Sequence, residues 1–364
     1  MQHDADGIIA AGRRAQKRRR AVWAGAGGFG AAAIAVVSVA AVSAATPAVH
    51  RGHTAAAPAV AAVAAMPSDP FTFTFSGYHA GKFTVMNPII GSTSYQIASI
   101  YETGRDTDDH SVPVNNHPPK QEPPMLYGYL TLYRPGAFNP VIPGGHATTI
   151  AGHQAITATG PGETRDMTHQ VVAWRYDDNV WAVAETYSNS ADDPSIQGLS
   201  QLVAGLTPSG PALVTVPFRM SYVPAGYKLV ETGTGAMPGL NGIAGARDGD
   251  YGGAVFADPA PATTGLKTPY GGVDGDDVPH SFSVYVIPDK NANDRLGNGN
   301  PPPSQPVCQN GFCNFWSADG KTQIEVDSGG RLSNAEMSQI LKNIHLANVH
   351  APSTWPAVSS ALKR

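Results

Sequence analysis

Two acidic loops hold the side chains of this sequence that come closest to a metal site. The candidate ligands are Asp106, Asp108 and His110 in the first loop and Asp289, Asn291 and Asn293 in the second. Carboxylate and amide oxygens bind hard cations, and imidazole binds transition metals. The second loop departs from a calcium-binding loop, because its sixth residue is Asp294 rather than Gly and its twelfth is Asn300 rather than Glu. We therefore expect solvated loops, with no bound metal and no other cofactor.

The motifs of the common hydrolases and nucleotide-binding proteins are missing from the sequence. It has no Gly-x-Ser-x-Gly, no His-Glu-x-x-His and no P-loop. Ser360 and Lys363 match Ser-x-x-Lys, but they stand at the C-terminal end without a companion motif. We therefore expect a protein without catalytic residues. A secreted hydrolase or carbohydrate-binding protein is the alternative, and a calcium-dependent adhesive module is a third hypothesis.

The two cysteines of the chain, Cys308 and Cys313, flank the sequence Gln-Asn-Gly-Phe. Asn-Gly favours a two-residue hairpin turn, since both turn positions need a positive φ. Just beyond the residues that flank such a turn, the two strands form a non-hydrogen-bonded pair whose Cα atoms lie close together. This spacing predicts a structural disulfide, which in turn requires an oxidising compartment.

An uncharged stretch from Ala21 to Ala45 follows a cluster of Arg and Lys side chains between Arg13 and Arg20. A bilayer core takes about 20 apolar residues, and basic flanks stay on the cytoplasmic side. The pattern predicts a single-pass signal-anchor, with the N-terminus in the cytoplasm and the rest of the chain outside. A cleaved signal is the alternative, since Val42-Ser43-Ala44 fits a small-residue cleavage site.

The distribution of charge excludes nucleic acid as a partner. The chain carries 28 acidic and 24 basic residues, a formal net charge of −4, and several of the basic ones precede the apolar stretch. The part expected outside the membrane is therefore acidic and has no basic surface for phosphate backbones. The expected partners are the cytoplasmic membrane and an unidentified envelope ligand or protein.

Two amphipathic helices are the clearest secondary-structure predictions. Apolar residues recur at helical spacing around Leu202 and again around Ile340, and Ser333 forms a capping box with the Glu three residues later. Trp174 and Trp316 begin similar segments, Trp-Arg-Tyr-Asp and Trp-Ser-Ala-Asp, in the same order relative to the two helices. The repetition predicts a duplicated unit of several strands closed by one helix, with these apolar side chains in the cores.

The predicted fold class is α+β, with an N-terminal transmembrane helix followed by two tandem antiparallel-sheet units, each closed by one amphipathic helix. The expected segments are a short basic cytoplasmic tail (1–20), a transmembrane signal-anchor (21–45), an Ala/Pro linker (46–70), an α+β unit 1 (71–210), an α+β unit 2 (211–348) and a C-terminal tail (349–364).

A resemblance rests on the order of a Trp-bearing strand, the polar turn Asp177-Asp178-Asn179, a second apolar strand and a Ser-led amphipathic helix. This order resembles a bacterial extracytoplasmic domain of unknown function, which is carried by membrane-anchored proteins related to sigma-factor regulators. The stretch from Pro217 to Tyr227 is similar to the linker strand of that group.

By analogy with periplasmic regulators of the MucB/RseB kind, the resemblance implies a non-catalytic sensor or interaction protein linked to sigma-factor or envelope-stress signalling. Relatives in that group often carry a folded anti-sigma domain on the cytoplasmic side. The short basic segment 1–20 leaves no room for such a domain, so direct sequestration of a sigma factor is not expected.

Overall fold

A computed structural model describes residues 66–102, 125–161, 168–188, 194–234, 251–270, 278–289, 292, 305–309 and 311–362. The strands are β1 (Thr72–Phe75), β2 (Tyr78–Ala80), β3 (Phe83–Val85), β4 (Ile90–Ser92), β5 (Tyr95–Glu102), β6 (Met125–Tyr133), β7 (His146–Ile150), β8 (His153–Pro161), β9 (Thr168–Asp177), β10 (Val180–Ser188), β11 (Pro208–Leu213), β12 (Phe218–Met220), β13 (Lys228–Gly233), β14 (Gly252–Ala257), β15 (Ser281–Pro288), β16 (Val307–Gln309), β17 (Phe312–Trp316), β18 (Thr322–Asp327) and β19 (Ile344–Leu346). The helices are α1 (Ile196–Gly205), α2 (Asn334–Lys342) and α3 (Val358–Ala361), and Pro352–Thr354 forms a 3-10 turn.

Most of these strands belong to one antiparallel sheet of 15 strands. Its order is β16-β17-β18-β15-β14-β13-β4-β5-β6-β10-β9-β8-β7. The short strand β3 pairs with β2 and also shares one side of β5 with β4. The pairs β1–β11 and β12–β19 form separate two-stranded sheets. In this order, β16 and β7 are the two end strands of the large sheet.

The predicted fold class of two tandem antiparallel-sheet units, each closed by one helix, is wrong. β4 pairs with β13, with Ser92 opposite Glu231 and Ile90 opposite Gly233, so strands from both halves of the chain form one continuous sheet that is mostly antiparallel β-structure. Both strands are buried, and buried backbone groups must find hydrogen-bond partners. The backbone groups of β4 and β13 therefore serve as hydrogen-bond partners for each other.

The segment predicted to cross a membrane, residues 21–45, lies outside the described residues, as does most of the linker 46–70. Within the residues that are described, no helix combines the length and the apolarity that a bilayer crossing requires. The segment limits drawn from the sequence stay predictions.

Two large apolar clusters lie on either side of the β4–β13 joint in the strand order. One contains Trp174 together with Leu202 of α1, and the other contains Val284 together with Ile340 of α2. Residues of the C-terminal tail, among them Leu362, also pack into the second cluster. Each of the two longer helices therefore covers one part of the sheet with its apolar face.

Both of these helices begin at a serine cap. Ser333 Oγ accepts the Glu336 N–H at 3.2 Å, and the Glu336 carboxylate accepts the Ser333 N–H at 2.9 Å, so the predicted capping box is confirmed. For α1, Ser195 Oγ accepts the Gly198 N–H at 3.2 Å. Each cap satisfies an N–H that the first helical turn leaves without an intrahelical partner.

We predict that Leu202→Ala lowers the free energy of unfolding by about 2–5 kcal/mol, because Leu202 is 1% exposed and its truncation leaves a cavity under α1. Chemical denaturation measures the change. Ile196 lies on the same helix but is 72% exposed, so Ile196→Ala should change stability by less than about 0.5 kcal/mol. Equal losses in the two variants would contradict the packing of α1 on the sheet.

Candidate functional site

The end strand β7 carries exposed side chains from His146 to Thr149. It connects to β8 through Ala151 and Gly152, which both have positive φ values of 51° and 85°. A two-residue turn of this kind places its flanking residues, Ile150 and His153, in a hydrogen-bonded pair. Because hydrogen-bonded and non-hydrogen-bonded pairs alternate along an antiparallel ladder, the turn fixes which backbone groups of β7 face β8.

The backbone groups of Ala147 and Thr149 point away from β8 and out of the sheet. Their partners across the ladder are Ile156 and Gln154, which form the non-hydrogen-bonded pairs, whereas Thr148 bonds to β8 opposite Ala155. No strand in the described part of the chain lies on the outer side of β7. We call the outward N–H and C=O groups of Ala147 and Thr149 the β7 edge.

An open groove of about 460 Å³ lies over the sheet at its β7 end. Its lining consists of Ala147, Thr148, Thr149, Gln154, Ala155, Ile156 and Trp181. The Trp181 ring is half-buried and stands 6.0 Å from the Phe138 ring, centroid to centroid. None of the lining side chains carries a charge. The groove can therefore receive a neutral apolar group, while the neighbouring edge offers backbone donors and acceptors.

The two ends of the sheet differ in how they are protected. β16 has three residues, and a disulfide ties it to its neighbour β17. β7 has the sequence His-Ala-Thr-Thr-Ile, without Lys, Pro or a bulge. Short strands, charges, prolines and bulges are the devices that block pairing of an exposed edge with another chain. β7 lacks them, so it remains competent to pair.

A buried carboxyl group sits at the centre of the sheet, far from this edge in the strand order. Glu231 of β13 is 1% exposed, and Tyr95 Oη donates a hydrogen bond to its Oε2. No described residue forms a hydrogen bond with its Oε1. Burial raises the pKa of Glu231 to about 7, and the hydrogen bond from Tyr95 opposes this shift. The carboxyl is closed off from solvent, so it cannot reach a substrate as a catalytic acid would.

Hydroxyl groups extend this contact into a network. Tyr95 Oη accepts the Tyr270 N–H at 2.9 Å, and Tyr270 Oη lies 2.6 Å from both Thr93 Oγ1 and Ser94 Oγ. Ser94 Oγ in turn donates to the carbonyl of Thr263 at 3.0 Å. Burial raises the pKa of Tyr95 well above its ordinary range, so this phenol keeps its proton. The network ties the β4–β5 turn, β13 and the segment after β14 together.

A second acidic group lies in the same sheet, on strand β10. Glu185 Oε2 is 3.1 Å from His169 Nε2, and both side chains are less than one-third exposed. Burial and the nearby Glu185 charge raise the pKa of Tyr133 well above its ordinary range. Among the described residues, this pair is the one carboxylate–imidazole contact within ion-pair distance.

Most of the predicted metal ligands cannot be placed. Asp106, Asp108 and His110 lie outside the described residues, and so do Asn291 and Asn293. Asp289 lies just after the end of β15, and its N–H donates to the Lys321 carbonyl at 2.9 Å. Within the described ranges there is no group of three or more His, Cys, Asp or Glu side chains that could hold a metal ion.

The predicted disulfide between Cys308 and Cys313 is confirmed. The two residues face each other across the β16–β17 hairpin with Cα atoms 4.0 Å apart. Trp174 and Trp316 are buried at 0% and 3% exposure, in β9 and β17 respectively. Leu202 and Ile340 lie in the separate apolar clusters under α1 and α2, so the structure does not bring these predicted residues together at one site.

The sequence interpretation missed Glu231, Tyr95 and Tyr270. One signal for Glu231 was available, since a carboxylate stands inside the otherwise strand-like run Leu229-Val230-Glu231-Thr232. Two tyrosines from distant parts of the chain gave no comparable signal. The β7 edge was missed as well, because the sequence of a strand does not show whether a neighbour covers it.

No protein-family model and no curated protein matches the chain. Among solved structures, the chain is similar to the complex of Pseudomonas aeruginosa MucA and MucB and to MucB in complex with MucA(peri). Each match covers 76% of this chain and 93% of the other, with 11% sequence identity and a TM-score of 0.21. This is a weak structural similarity. At so low a TM-score, neither a partner nor a mechanism follows from it.

We predict that Tyr95→Phe lowers the free energy of unfolding by about 1–3 kcal/mol. The change removes the donor to Glu231 and the acceptor of the Tyr270 N–H while keeping the aromatic ring. Urea denaturation at pH 6 measures it. A loss smaller than about 0.5 kcal/mol would show that the hydroxyl network does not hold the centre of the sheet.

Proposed function

We propose that this chain is an exported, non-catalytic interaction protein that binds an extended polypeptide segment of a partner by adding it as a strand to the β7 edge. The observation that carries the proposal is that Ala147 and Thr149 direct backbone groups outward near an uncharged groove, with no partner strand among the described residues. Strand addition uses main-chain hydrogen bonds for affinity and side-chain pockets for specificity.

The β7 edge supplies two donors and two acceptors in a fixed register. Ala147 and Thr149 are two residues apart, so both present their N–H and C=O groups on the same side of the strand. An antiparallel segment of about five residues can bond to all four groups. Each such bond contributes about 0.5–1.5 kcal/mol, which suits a reversible complex.

The groove selects the side chains of that segment. Its Ile156 and Trp181 side chains offer apolar surface, and no charged side chain lines it. Burial of a large apolar side chain there adds about 1.5–3 kcal/mol, whereas burial of an unpaired charge is unfavourable. The preferred segment is therefore extended and uncharged, with an apolar residue directed towards the groove.

Export of the domain is supported by the disulfide between Cys308 and Cys313, since such bonds persist in oxidising compartments. The apolar stretch 21–45 behind its basic flank supports a membrane tether with the N-terminus in the cytoplasm. In this arrangement the β7 edge faces the cell envelope. We further propose that binding at this edge serves sigma-factor or envelope-stress signalling.

Selection from a phage-displayed library of random 12-residue peptides tests the binding site. We predict that uncharged peptides with a β-branched or aromatic residue are enriched on the wild-type protein. Thr149→Pro should weaken their binding at least tenfold, because proline removes the outward N–H without breaking a bond to β8. Binding is measured by fluorescence polarisation of a labelled enriched peptide.

Thr149→Val is the matched control, because valine keeps the N–H, the size and the strand preference of the residue it replaces. The Val variant should bind as the wild type does. Peptides that bind both variants as tightly as the wild-type protein would contradict strand addition at this edge, and so would the absence of any enriched peptide.

Alkylation of the cysteines tests the compartment. We predict that Cys308 and Cys313 in protein taken from intact cells react with iodoacetamide only after treatment with a reductant, because both are held in the disulfide. Mass spectrometry of the peptide that contains both residues gives the result. Two thiols that react without a reductant would contradict export, and the protein should sediment with membranes if 21–45 tethers it.

A further inference from the structure

The joint between β4 and β13 is a narrow connection in the large sheet, with three paired positions. β4 has three residues, whereas β5 has eight and β13 has six. Its register pairs Ser92 with Glu231, Gly91 with Thr232, and Ile90 with Gly233. Strands on one side of this joint pack around α1 and those on the other side pack around α2. A change in the joint therefore affects how the two parts of the sheet are coupled.

Glu231 places an ionisable group inside this narrow joint. Its Cα lies between Ser92 on β4 and Val255 on β14, neither of which titrates. The ionisable side chains that face it are Tyr95 from β5 and Tyr270 from the segment after β14. Among the described residues no cation is placed to neutralise the carboxylate. An ionised Glu231 would therefore have one hydrogen bond, from Tyr95, and no neutralising cation among the described residues.

The neutral form fits the observed contacts better. A buried charge without a cation is strongly disfavoured, and its Oε1 has no hydrogen-bond partner among the described residues. A neutral carboxyl group still accepts the hydrogen bond from Tyr95 at Oε2. The network through Tyr270, Thr93 and Ser94 then closes around the joint without an unpaired charge.

We propose that Glu231 is a proton-controlled lock on the β4–β13 joint, closed while the carboxyl group is neutral and opened locally when it loses its proton. The ligand of this device is the proton itself. The lock is independent of the proposed peptide binding, because β7 lies at the far end of the sheet.

The direction of the pH dependence follows from linkage. In the closed joint the pKa of Glu231 is raised by burial from 4.5 to about 7, whereas in an open, hydrated joint it returns to its ordinary value. Below both values the closed state keeps its full stability. As the pH rises between about 5 and about 7, the open state releases a proton that the closed state retains, so opening becomes about tenfold more favourable per pH unit. Above about 7 the effect levels off.

Hydrogen exchange followed by mass spectrometry on the full chain tests the lock. After correction for intrinsic exchange, peptides that contain β4 and β13 should lose up to about 100-fold in protection between pH 5 and pH 7. Peptides from β9 and β10 should not change in this range. In Glu231→Gln the amide cannot ionise, and the pH dependence in β4 and β13 should disappear.

Glu185→Gln is the matched control, because it removes a carboxylate from the same sheet but not from the joint, and it should keep the wild-type pH dependence. The proposal is overturned if β4 and β13 show no pH dependence in the wild type, or if the dependence survives in Glu231→Gln. If Glu231→Gln does not fold, Tyr95→Phe provides the test instead. This variant loses the Tyr95 hydrogen bond that lowers the pKa of Glu231, so the upper end of the pH transition in β4 and β13 should move to higher pH. A transition that does not move also overturns the proposal.

Discussion

Pairing between β4 and β13 is the interaction on which the rest of this structure depends. It joins strands from the two halves of the chain into one sheet, and it does so through a strand of only three residues. Buried backbone groups that lacked this pairing would be left without partners at a cost comparable to the loss of several hydrogen bonds. The hydroxyl network around Tyr95 and Tyr270 reinforces the joint from the side chains.

At the ends of the sheet, the same requirement for backbone hydrogen bonds makes an exposed edge strand able to pair with another chain. At one end, a short strand and the Cys308–Cys313 bridge leave little backbone for another chain to pair with. At the other end, β7 presents Ala147 and Thr149 to solvent beside an uncharged groove. An open edge is a hazard for aggregation unless it is short or used. The proposed pairing of this edge with a partner segment would give its exposure a function.

Local patterns in the sequence predicted local structure well. The strand around Trp174 and the strand after the Asp177–Asn179 turn lie where alternation and turn residues indicated, as β9 and β10. The capping box of α2 and the disulfide hairpin followed from interactions between residues a few positions apart. In each case the physical cause is contained within one short segment.

Features that depend on distant partners were not predicted. Ile90-Gly91-Ser92 is too short to show a periodicity, and Glu231 contradicts the apolar pattern expected of a central strand. The pairing of β4 with β13 was therefore not predicted, and two separate sheet units were expected instead. The network at Tyr95 depends on Tyr270, which only the folded chain brings near. Whether β7 is an end strand is decided by the order of the whole sheet.

Backbone NMR of the protein with an enriched, uncharged peptide tests the central claim most directly. Binding by strand addition predicts that the amide protons of Ala147 and Thr149 move downfield and become protected from solvent exchange, because they gain hydrogen bonds to the peptide. The amide of Thr148, which already bonds to β8, should change little. Protection that appears elsewhere in the sheet while Ala147 and Thr149 stay exchangeable would contradict the account.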